Sequence, residues 1–170
     1  ENEYADMWFE SKKPFKKELV EELFQQIPDQ EISFPLENNG FTYYEKINKS
    51  DQLEKYYRKD SNDNEELLLD PNIKLKSQQF YSVGSLSPSH DNNLIGMSED
   101  NNGRREYTIK FFDPKTGKYL NDVIEDTGGR IIWTKDNKHI IYTKKDPVTL
   151  ISNLVYVHKI GSNVSDDVLI

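Results

Sequence analysis

Residues 131–144 read IIWTKDNKHIIYTK, with NLVYVHKIG following at 153–161; residues 85–98 read SLSPSHDNNLIGMS, with REYTIKFFDPKTG following at 105–117. The two stretches read as one unit written twice. Leu94-Ile95 aligns with Ile140-Ile141, and Ile109 with Val155, both at an offset of 46 residues. Short apolar runs split by polar turns at that period are the pattern of a β-propeller blade. A blade cannot bury its two faces alone, so the repeat implies a stack.

Working outward, strands are expected near 80–86, 94–98, 106–112 and 119–124, and again near 130–133, 139–143, 153–159 and 167–170. The connections are turn formers: Ser87-Pro88, Asp91-Asn92-Asn93, Asn101-Asn102-Gly103, Asp136-Asn137 and Asp113 to Gly117. In the last, proline presets one dihedral and glycine takes the left-handed one. Upstream, Asn39-Gly40 signals a turn, and strands are expected at 41–47, 53–59 and 66–69 from their aromatic and β-branched bias. Before them, Leu19, Val20, Leu23, Phe24 and Ile27 form one apolar stripe at helical spacing. Ser11 and Pro14 suit that helix's start, and Pro28-Asp29 its end.

The expected fold is therefore mainly β: an incomplete β-propeller of about three four-stranded antiparallel blades, preceded by an N-terminal α-helical arm. The arm is placed at 1–35 and the partial propeller at 38–170, with units of about 38–79, 80–126 and 127–170. About three blades are fewer than the four to eight that close a ring.

Bulk composition narrows the function. The chain has 170 residues, enough for one domain. It carries 22 basic and 30 acidic side chains, a net charge of −8, so it repels phosphate backbones and is not expected to bind nucleic acid. There is no cysteine, which excludes disulfides, thiol catalysis and cysteine metal sites. That agrees with a reducing compartment. No apolar run approaches membrane-spanning length and no secretory signal opens the chain, so no membrane association is expected. The first residue is Glu1 rather than Met, which is compatible with a missing upstream piece.

Catalytic patterns are absent. Gly96-Met97-Ser98 is followed by Glu99 and Asp100, not by the second glycine of a nucleophile elbow. There is no phosphate loop and no dinucleotide fingerprint, and Gly128-Gly129 reads as a turn. His90, His139 and His158 are the three histidines, and none stands at metal-ligand spacing from another. The acidic residues sit in turns and on helix faces. No catalytic, cofactor-binding or metal residue is therefore assigned, and no cofactor is expected.

A series of motifs nevertheless resembles one family. It runs from Glu1-Asn2-Glu3-Tyr4 through Phe41-Thr42-Tyr43-Tyr44-Glu45 and Glu65-Glu66-Leu67-Leu68-Leu69-Asp70 to Ser82-Val83-Gly84-Ser85-Leu86-Ser87-Pro88 with Asp91. It continues through Ser98-Glu99-Asp100-Asn101-Asn102-Gly103 and Glu106-Tyr107-Thr108-Ile109 to Asp146-Pro147-Val148-Thr149. In this order the motifs resemble the N-terminal portion of the prolyl oligopeptidase family of serine peptidases, and within it the oligopeptidase B (protease II) branch.

The resemblance implies a cytoplasmic enzyme in which the arm packs on a C-terminal α/β-hydrolase domain. The propeller of that enzyme covers the active site, admitting short peptides. In that branch the peptides are basic and are cut after Lys or Arg. The triad would lie beyond this chain, so no triad residue carries over, and the missing hydrolase domain is the expected partner. Alone, the chain would be inactive and open to self-association. The alternatives are a non-catalytic β-scaffold from a truncated or split gene, and a free-standing binding module using loops on one propeller face.

Overall fold

The computed structural model describes residues 2–146, 148–149 and 151–170; Glu1 and Pro147, both within the motifs quoted above, and Leu150 lie outside the described residues. Two helices open the chain, α1 (Asn2–Glu10) and α2 (Lys13–Gln26). Ser11 does not cap α2: its hydroxyl donates 3.3 Å to the Trp8 carbonyl and closes α1 instead. Lys12 is the N-cap, Pro14 occupies the first turn, and Ile27 is extended just before Pro28.

Unit one follows: β1 (Gln30–Ile32), β2 (Leu36–Asn38), β3 (Phe41–Asn48), β4 (Lys55–Lys59) and β5 (Glu65–Leu69). The sequence reading placed Gln30–Ile32 in the helical arm. Its three residues instead pair antiparallel with Lys46–Asn48 of β3, beside β2 on the same edge. A three-residue strand carries too little periodicity to be read locally; pairing decides it. The β2–β3 turn holds Asn39 at φ 44° and Gly40 at φ 84°, the left-handed pair that a two-residue hairpin requires. A short helix α3 (Pro71–Leu75) comes next, with the Asp70 carboxylate accepting from the Asn72 amide.

Unit two is β6 (Ser82–Pro88), β7 (Ile95–Asp100), β8 (Tyr107–Asp113) and β9 (Lys118–Thr127). Unit three is β10 (Ile132–Trp133), β11 (His139–Lys145), β12 (Ser152–Lys159) and β13 (Val168–Leu169), with a 3₁₀ turn at Val164–Asp166. Units two and three are antiparallel meanders in chain order, and in unit one β1 and β2 share one edge of the β3-β4-β5 meander. A single residue pair, Lys144 opposite Thr127, joins the sheets of units two and three. The fold is a partial β-propeller led by two helices.

The core lies between the units. Strand alternation sends neighbouring side chains of unit two into two different seams. Ile95, Met97 and Phe112 meet Tyr43, with Phe41, Leu68 and Leu69 around them. Ile109, Phe111 and Ile124 meet Ile131, Trp133, Ile140 and Tyr142. Trp133 Nε1 also donates 2.9 Å to the Ser87 carbonyl across the second seam.

The repeat is real, but its register differs from the reading above. In unit two, Asp91 Oδ1 accepts from the Ser89 hydroxyl (2.7 Å) and the Asn93 amide (3.2 Å). In unit three, Asp136 Oδ1 accepts from the Thr134 hydroxyl (2.5 Å) and the Lys138 amide (2.9 Å). These bonds hold both carboxyls below the usual range: Asp91 mainly through Ser89, Asp136 to about 2 mainly through Thr134. The turns superpose Ile95 on Ile140, both fully buried, rather than on Ile141. Ile109 does match Val155, because Ser98 pairs with Ile109 as Thr143 pairs with Val155. The one-residue difference is taken up within β12, where the pairing skips from Lys144–Leu154 to Lys145–Ser152. A one-residue slip in a strand exchanges its buried and exposed faces, so the correction matters.

Candidate functional site

The three histidines were the residues nearest to chemistry in the sequence, and the fold scatters them. His90 lies in an exposed turn, where its carbonyl accepts from the Asn39 side-chain amide. His139 Nδ1 is 3.0 Å from Asp136 Oδ2 beside the repeated turn. His158 is fully buried. Its Nδ1 lies 2.6 Å from Asp167 Oδ1, its Nε2 lies 3.9 Å from Asp122 Oδ2, and its ring stacks on Phe111 with centroids 6.2 Å apart. Asp167 Oδ2 also accepts from the Tyr142 hydroxyl at 2.7 Å, and Asp122 Oδ2 accepts from the Gly161 amide at 2.8 Å. An imidazole sealed from solvent cannot meet a substrate. This cluster ties unit two to unit three.

The first seam has its own polar clasp. Asn92 Oδ1 accepts from the Tyr43 hydroxyl (2.8 Å) and from Asn38 Nδ2 (3.1 Å), while its Nδ2 donates to the Asn38 and Asn39 carbonyls. The Asn92 carbonyl accepts from buried Arg58, whose Nε is 2.8 Å from Glu66. These bonds satisfy groups that the seam would otherwise leave unpaired. The sequence marked Asp91-Asn92-Asn93 only as a turn, since a clasp 49 residues away in the chain leaves no local signal.

Two open surfaces bear on function. One is a cavity of about 450 Å³ between unit one and β6, lined by aromatic and aliphatic side chains with Glu37 and Glu45. The other is the arm. Leu19, Val20, Leu23, Phe24 and Ile27 of the α2 stripe are all exposed by 41–54%. Lys49 reaches back to this stripe, its ammonium 5.1 Å above the Phe24 ring. Tyr4, Met7, Trp8 and Phe9 of α1 are exposed as well. An apolar stripe of this size marks a contact surface.

The model of the prolyl oligopeptidase N-terminal β-propeller domain matches residues 1–170. The chain belongs to the prolyl oligopeptidase family. Its relatives in that family include dipeptidyl aminopeptidase BI of Pseudoxanthomonas mexicana, 31% identical over the whole of this chain and 26% of that protein. Protease 2 of Moraxella lacunata is 28% identical over 91% of this chain and 24% of its own length. Among solved structures, oligopeptidase B from Trypanosoma brucei with covalently bound antipain superposes with a TM-score of 0.81 at 26% identity. It covers 97% of this chain and 24% of the other. Oligopeptidase B from Leishmania major shows the same fold, with a TM-score of 0.83 at 24% identity over 96% of this chain and 24% of the other. The chain thus spans about a quarter of the length of the family members it matches. Those relatives are proteins of roughly four times this length.

Proposed function

We propose that this chain forms part of the lid and size filter of a cytoplasmic serine oligopeptidase that cleaves short peptides after Lys or Arg. The triad belongs to a C-terminal α/β-hydrolase domain, and no residue here is catalytic. The arm is α1 with α2, and the propeller begins at Gln30, with units dividing near residues 80 and 127. The observation that carries this reading is the bare α2 stripe. A helix with five large apolar side chains facing water is stabilised by covering them, at about 25 cal/mol per Å² of apolar surface. The hydrolase domain is the surface that covers it.

Two outcomes test the reading. The purified chain does not turn over an Arg-Arg chromogenic peptide; turnover that a serine-directed inhibitor abolishes would overturn the assignment. Reading the gene beyond Ile170 supplies the complement: a downstream Gly-x-Ser-x-Gly supports the peptidase, and an early stop supports the scaffold. The isolated chain also self-associates at tens of micromolar, because β13 presents an unpaired edge with Val168 and Leu169 exposed. Light scattering showing a monodisperse monomer in that range would mean the edges are closed in another way.

A further inference from the structure

The cavity between units one and two owes its shape to a break in an edge strand. β1 and β2 both pair with β3, and Ser33–Pro35 interrupt them. Ser33 is locked to Glu45 twice: its amide donates 2.9 Å to the Glu45 carbonyl, and its hydroxyl accepts from the Glu45 amide at 2.8 Å. Phe34 is left 87% exposed at the cavity's edge. Alternation along β3 places Tyr43 and Glu45 on one face, and Tyr56 of β4 stands directly opposite Glu45. Leu36 and Leu86 complete the apolar wall.

The charges of this cavity are unbalanced. Glu37 and Glu45 line it, and no Lys, Arg or His does. The Thr42 hydroxyl donates 2.7 Å to Glu37. The Glu45 carboxylate has no hydrogen-bond or ion-pair partner among the described residues, nor has neighbouring Glu54. Burial pushes the Glu45 carboxyl above its ordinary range, and the Glu54 charge adds to that. The opposite face of the same sheet shows the complete arrangement. There the Lys46 ammonium pairs with Glu65 at 2.5 Å and lies 4.7 Å above the Tyr57 ring and 5.5 Å above the Tyr44 ring. The cavity has aromatic walls and carboxylates but lacks the cation.

We propose that this cavity is a binding site for a cationic peptide side chain, arginine or lysine. The methylene stem lies along Tyr56, Leu36 and Leu86, and the charged head reaches Glu45. Amphipathic side chains of this kind are well suited to a pocket with one charged rim. The proposal rests on the reading that basic peptides pass the propeller, and it adds a recognition point on the propeller itself.

Saturation-transfer difference NMR on the chain at low micromolar concentration tests it, with Nα-acetyl-arginine amide and its neutral counterpart Nα-acetyl-norleucine amide as probes. Arginine amide gives saturable transfer at low salt and norleucine amide does not. Glu45→Gln weakens the arginine signal about tenfold, the loss of one charge-assisted contact. Glu65→Gln, on the other face, leaves it unchanged. Thermal unfolding of both variants verifies that they fold. Equal transfer from both probes, no transfer from arginine amide, or an unaltered signal in Glu45→Gln overturns the proposal. None of these outcomes touches the peptidase reading, which stands on the α2 stripe and the turnover assay.

Discussion

Phe111→Ala lowers the stability of the chain by about 3–5 kcal/mol, the usual range for deleting a buried aromatic ring. Phe111 is fully buried, sits edge-on to Trp133 with centroids 5.7 Å apart, and stacks on the His158 ring at 6.2 Å. Both neighbours belong to unit three. The cavity left by alanine therefore opens the seam between units two and three, and partial collapse cannot refill it across two sheets. Urea unfolding reads the loss as a lower midpoint. Amide exchange locates it, with β11 and β12 losing protection before β3 and β4. Phe112→Ala is the matched control: its side chain faces the first seam, beside Tyr43, Ile95 and Met97. It exposes β3 and β4 first. If both variants lost protection in the same strands, the seams would not be separate cores.

The second large effect is at Asp167. Asp167→Ala removes the acceptor of both the Tyr142 hydroxyl and His158 Nδ1, leaving two donors in a sealed site. The cost is about 2–5 kcal/mol, the desolvation penalty of two buried donors left without an acceptor. In a chain of this size each kcal/mol is about 2–4 °C in melting temperature, so thermal unfolding falls by roughly 10 °C. Adding His158→Phe to Asp167→Ala restores part of the loss. The repeat supplies the reason: His158 occupies the place that Phe112 holds in unit two, so an aromatic hydrocarbon fits a blade at this position. If the double variant were less stable than Asp167→Ala, the imidazole would contribute through contacts other than this carboxylate.

Much of this architecture was legible in the chain. The turn Asp113–Gly117 formed as read, with Gly117 at φ 66° and Asp113 accepting from Lys115 and Thr116. The α2 stripe and its stop at Pro28 needed only helical periodicity and the restriction that proline places on its neighbour. What escaped the reading was set by partners distant in sequence. β1 exists because β3 offers it an edge. Asn92 is a clasp because Tyr43 and Asn38 stand across a seam. The cavity beside Glu45 arises from two units meeting, and nothing in FTYYEKIN marks that its one carboxylate will go unpaired.

The repeat of short strands and polar turns by itself determined that this chain is built from stacked strand units. Alternation and turn chemistry are local, so they are written in neighbouring residues. Only the tertiary structure decided the register of the repeat, a one-residue difference absorbed within β12, and therefore which faces enter the seams. Only it decided that Asp122, His158 and Asp167 meet in a buried tie between units two and three. Burial and pairing depend on what the neighbouring sheet presents, and that is a property of the assembled units.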